Sequence, residues 1–80
     1  MTRYLKEEIT LTLDEAELGT EYIIKDIVTD DEEMKSFLFS LGCYSGEPVT
    51  VVTRKRHNLV LSIKDARYNI DSELAKVIAI

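Results

Sequence analysis

The side chains able to do chemistry are few in this sequence, and their spacing keeps them apart. Cys43 is the only thiol and His57 the only histidine. A nucleophilic cysteine needs a base within hydrogen-bond reach and a further group that orients the base. Cys43 follows a predicted helix while His57 falls in a predicted hairpin tip. The reading is therefore a packed cysteine and a solvated histidine, with no catalytic residue. A metal site on this pair is short of ligands, since structural zinc takes four from the protein, so neither a metal ligand nor a cofactor is expected. Gly42-Cys43-Tyr44-Ser45-Gly46 has one residue too many before Ser45 for a G-x-S-x-G nucleophile elbow. Among Gly19, Gly42 and Gly46 there is no G-x-x-x-x-G-K or G-x-G-x-x-G to cradle a phosphate.

Two charge clusters remain. Asp30-Asp31-Glu32-Glu33 lacks the alternating carboxylates and central glycine of a calcium loop and reads as a solvated helix start. Arg54-Lys55-Arg56-His57 is the one basic cluster. With Tyr44 and Tyr68 it would suit a barrel that stacks bases on aromatics. A solvated hairpin tip is the plainer reading, because Tyr68 alternates with core positions.

The elements that must position these groups are mostly short strands. Glu7–Leu13 alternates apolar and polar residues and predicts a half-buried strand. An acidic turn follows over Asp14–Gly19, with Asp14 placed to cap a single helical turn. Glu21–Val28 predicts a second strand whose mixed period implies a bulge or strong bend. Asp30 or Asp31 caps a helix that ends at Gly42, a position suited to the left-handed conformation. Met34, Phe37, Leu38 and Leu41 form its expected apolar stripe. Gly46 closes a further turn before Pro48, where a strand begins. Val49 and Val51, then Leu59, Leu61 and Ile63, predict a hairpin around the basic tip. Lys64-Asp65 is the next turn, and Ala66, Tyr68 and Ile70 alternate beyond it. Asp71–Ala75 reads as one capped helical turn and Val77–Ile80 as a closing strand. The fold class is mainly β: a small, strongly bent barrel of five to six short strands, with one α-helix inserted after the second strand.

Composition supports this and removes several functions. The 80 residues, expected to form one domain over 1–80, carry 14 Val and Ile and seven Thr against four Ala. One cysteine excludes an internal disulfide framework. The longest apolar run, Val77–Ile80, is far below the ~20 residues of a membrane helix, and Met1–Lys6 reads as no secretory signal. A cytoplasmic protein is the expectation. Net charge is −5, which argues against non-specific nucleic-acid binding. The charge is uneven, net −8 over residues 1–33 and +3 over 34–80, and such a dipole can orient a partner.

The ordered set Leu38-x-x-Leu41-Gly42-x-x-x-Gly46-x-x-Val49-x-Val51, a hairpin, then Ile70-x-x-x-x-Ala75-x-x-Ile78-x-Ile80 resembles the FeoA family over about residues 13–80, including Leu18-Gly19 upstream. Phe37 and Ser45 stand where family members often carry a basic residue and a proline. The resemblance implies an SH3-like barrel and a non-enzymatic accessory role in ferrous iron uptake. It implies as partner the cytosolic GTPase region of a FeoB-type transporter, with the membrane reached only through that partner. Exposed positions suited to such a contact are Tyr44 and the tip residues Arg54, Lys55, Arg56 and His57, while Gly19, Gly42 and Gly46 are structural turns. The competing classes are a nucleic-acid-binding small barrel, favoured by a continuous basic face, and a metal-responsive regulatory module, favoured by convergence of Cys43, His57 and carboxylates.

Overall fold

The computed structural model describes residues 11–80. After a 3-10 turn at Leu13–Glu15 come β1 (Glu21–Ile23), β2 (Asp26–Ile27), α1 (Glu32–Leu41), β3 (Pro48–Arg54) and β4 (Asn58–Ile63). They are followed by β5 (Ala66–Asp71), the short α2 (Ser72–Ala75) and β6 (Ile78–Ala79). One antiparallel sheet has the order β1-β3-β4-β5; a second pairs β2 with β6, and β6 also bridges Thr12.

Period-two patterning dictates the larger sheet. In β4 every second residue, Leu59, Leu61 and Ile63, is at most 1% exposed, and Val49 and Val51 of β3 lie beside them on the same inner face, Val51 paired with Leu61. A register shift between Val51 and Thr53 adds the bulge that bends β3 toward the tip. The expected second strand is two strands. Ile24 is buried where the chain leaves the larger sheet for the smaller, its N–H donating to the Glu47 carbonyl and its carbonyl accepting from Gly46. This sharp bend accounts for the mixed period of Glu21–Val28. The two sheets, Leu38 of α1 and Ala75 of α2 enclose one core of Leu, Ile and Val side chains.

Caps fix the helices. Asp31 accepts from the N–H groups of Glu33 and Met34, and Asp71 from that of Glu73. At its other end α1 stops in Gly42, with φ of 98°, a conformation that disfavours any Cβ.

Three expectations need correction. The α1 stripe is mostly not core: Leu38 is fully buried, but Met34 and Leu41 are only partly so and Phe37 is 46% exposed. The helix buries Leu38 fully and packs Leu41 partly against the core. Asp14 caps nothing; it lies inside the 3-10 turn, where its carboxylate accepts from the Thr12 hydroxyl. Finally, the strand expected over Glu7–Leu13 falls outside the described residues at 7–10, and Leu13 itself opens the 3-10 turn rather than ending a strand.

Candidate interaction site

The structure separates the two halves of the expected contact surface. Arg54, Lys55, Arg56 and His57 form the tip between β3 and β4, whereas Tyr44 lies beside the turn that leaves β4 at its other end. Six residues of β4 at ~3.3 Å each put roughly 20 Å between them. Tyr44 and the basic tip are therefore two places.

At the tip, Arg54 is engaged within the fold. Its Nη1 donates to the Ala16 carbonyl at 2.6 Å, strapping the segment after the 3-10 turn onto β3. The tip is closed by Lys55 N–H donating to the Asn58 carbonyl at 2.7 Å, and the His57 carbonyl accepts from Ser72 N–H at 2.9 Å. Lys55, Arg56 and His57 are exposed, and among the described residues no carboxylate pairs with them.

Cys43 is far from His57 along the hairpin and faces the core. Its side chain is 0% exposed, and burial raises its thiol from 9.0 to about 11. A thiol so placed is neutral and shielded at neutral pH. Among the described residues no group of three or more His, Cys, Asp or Glu could hold a metal ion.

The other end of the hairpin carries more structure than the sequence suggested. Tyr44, 44% exposed, stacks on Phe39 with ring centroids 5.6 Å apart and an interplanar angle of 28°. Lys64 Nζ stands 5.4 Å from the Tyr44 ring centroid and 3.6 Å from Glu47 Oε1. Lys64 thus joins the aromatic pair to an open cleft of about 290 Å³ on the outer face of β1, β3 and β4, bounded by Glu21, Glu47, Pro48, Lys64 and Asp65. Lys64 and Asp65 have φ of 51° and 69°, so both central residues of the two-residue turn between Ile63 and Ala66 are left-handed without being glycine. Sequence reading missed Phe39 and the cleft. Phe39 lies off the helical stripe of Leu38 and Leu41, and an aromatic on the outward face of a helix is the signal that points to it.

A four-stranded sheet folded over a two-stranded one, closed by a terminal strand and shielded by one helix, is the architecture of a small SH3-like barrel. Solved structures bear this out. The crystal structure of an iron uptake regulatory protein (FeoA) superposes with a TM-score of 0.80 at 21% identity, covering 89% of this chain and 95% of that one. FeoA of Stenotrophomonas maltophilia in complex with zinc, proposed as a bacterial ferrous iron transport activating factor, does so at 0.77 and 21% identity, covering 88% and 89%. A manganese-dependent transcriptional repressor reaches 0.82 at 19% identity over 90% of this chain but 41% of its own. The search of curated proteins returns no match. The FeoA domain model matches residues 11–80, and the chain belongs to the FeoA family. The FeoA proteins that superpose on this chain share its SH3-like fold. Among the described residues no helix is long and apolar enough to cross a membrane.

Proposed function

We propose that this chain is a non-enzymatic, cytoplasmic accessory protein of ferrous iron uptake that binds the cytosolic GTPase region of a FeoB-type transporter and meets the membrane only through it. The observation that carries this reading is the family match over residues 11–80. The surface is consistent with a binding role: it presents a stacked aromatic pair at one end of the hairpin and the cations Lys55 and Arg56 at the other. In this reading Tyr44, Lys55, Arg56 and His57 touch the partner, and Arg54 positions the tip through its bond to Ala16. Calorimetric titration with a transporter's cytosolic GTPase domain at two salt concentrations tests it. Wild type should bind, and Lys55→Glu with Arg56→Glu should weaken binding at least fivefold, most at low salt. No binding by folded wild type refutes the reading.

The likeness to the manganese-dependent repressor favours a second reading, a metal-responsive regulatory module. It requires that Mn²⁺ or Zn²⁺ raise the thermal midpoint further with each increase in ion concentration. A midpoint unmoved by either ion removes it.

A further inference from the structure

We infer that the cleft beside the Phe39–Tyr44 pair is a peptide-docking site, and that its occupant is an extended partner segment carrying an Arg or Lys next to apolar side chains. This deepens the proposed function and rests on it only in taking the chain as a binding module.

Apolar exposure locates the surface. Phe39 and Tyr44 are 40% and 44% exposed and stack on one another rather than on the core. Ile23 is 53% exposed and pairs in register with Pro48, so it adds to the same outer face of the sheet. Pro48, the register partner of Ile23, stands in the wall of the cleft, and Lys64 reaches from the cleft to Tyr44. An aromatic stack and a ring-locked proline are rigid, so covering them costs little side-chain entropy.

Charge selects the occupant. The cleft holds the carboxylates of Glu21, Glu47 and Asp65 against the single ammonium of Lys64. Lys64 is paired with Glu47, and among the described residues Glu21 and Asp65 have no cationic partner. An acidic segment would be repelled here and drawn to the tip, whereas a guanidinium or ammonium satisfies the two free carboxylates. Apolar neighbours of that cation would then reach the aromatic pair on one side and Ile23 on the other.

The turn supports the assignment. An Asn-Gly pair would adopt the left-handed turn at 64–65 with less strain, yet the chain holds there the two charged side chains that line the cleft.

The test is a selection from a random decapeptide library on the intact 80-residue chain, followed by titration of the enriched peptides. Enrichment of peptides with Arg or Lys beside Leu, Phe or Pro is expected. Their affinity should fall at least fivefold in Glu21→Gln with Asp65→Asn, and in Tyr44→Ala, while staying within twofold in Lys55→Glu with Arg56→Glu. All these positions are exposed, and a thermal melt of each variant confirms that it folds. In ¹⁵N spectra of wild type, the peptides should shift the amides of Glu21, Tyr44 and Asp65. Enrichment of acidic peptides, absence of enrichment, or binding that survives the cleft variants would overturn the inference. The outcome is separable from the proposed function: a transporter domain that binds through Tyr44 and the tip ignores Glu21→Gln with Asp65→Asn, and a cleft that selects basic peptides does so without any transporter.

Discussion

Replacing Gly42 by alanine isolates the energetic term on which the Tyr44 end of the molecule depends. Gly42 ends α1 with φ of 98°; its N–H donates to the Leu38 and Phe39 carbonyls, and the next N–H, that of Cys43, returns to Leu38. This cap aims Cys43 into the core and Tyr44 out toward Phe39. A Cβ at Gly42 would stand 3.5 Å from Ile63 Cγ2 and 3.9 Å from Lys64 Cδ, ordinary contact distances, so packing does not forbid it. The cost is conformational. A left-handed L-residue costs about 1–2 kcal/mol, from which alanine recovers about 0.4–1 kcal/mol by restricting the unfolded chain. Gly42→Ala should therefore lose about 1 kcal/mol, which for a domain of this size lowers the melting temperature by ~4–8 °C. Gly46, with φ of 93° and open space where its Cβ would lie, is the control and should lose a similar amount as alanine. Gly42→Val should lose at least ~1 kcal/mol more, since a branched side chain must also fit against Ile63. Urea and thermal melts of the three variants measure the series. A Gly42→Val protein as stable as wild type would refute the capping argument, and a loss at Gly42→Ala far above that at Gly46→Ala would show that close approach, not φ, sets the cost.

Two further outcomes follow from burial. Leu38→Ala should destabilise by ~2–5 kcal/mol, because it empties the one fully buried position of α1, while Phe37→Ala, one residue earlier but 46% exposed, should change stability by about 0.5 kcal/mol or less in urea melts. The Cys43 thiol is raised from 9.0 to about 11, so its contribution to stability is complete below pH 9.0 and is lost as pH climbs toward 11. The slope is up to ~1.4 kcal/mol per pH unit. Cys43→Ala should flatten the alkaline limb of the stability curve, and at pH 7.4 a thiol reagent should label wild type only as fast as the fold opens.

The strands of the hairpin were legible because their two faces differ so sharply: Leu59, Leu61 and Ile63 point inward between polar or half-buried neighbours. The ends of α1 were legible for a local reason, since Asp31 and Gly42 act on their own backbone. Local pattern could show the apolar stripe of α1 but not how deeply the barrel takes it up, and of its four residues only Leu38 is fully buried. It could show a bend in Glu21–Val28 but not that the bend transfers the chain between sheets. The candidate site was half visible. Tyr44 and the tip are conspicuous by residue type, but the cleft collects Glu21, Glu47, Pro48 and Lys64-Asp65 from separate parts of the chain, and only the pairings of β1, β3 and β4 bring them together.

The placement of β6 bears on how the protein is made. Residues 77–80 lie between two segments synthesised long before them: Ile80 N–H donates to the Leu11 carbonyl and Thr12 bridges Ala79, while on the other side the Ala79 and Val77 carbonyls accept from Lys25 and Val28. Ile78, Ala79 and Ile80 are each at most 6% exposed. A nascent chain can form the β3–β4–β5 meander early, from neighbouring residues, but its apolar inner face stays uncovered until residues 77–80, the part of the barrel made after all the rest, clear the ribosome. Barrel closure is thus a late step that depends on contacts distant in sequence, the class of contact that folds slowly. Until then Leu13, Ile24 and Ile27 lack the Ile78 and Ile80 side chains with which they share the core of the folded barrel.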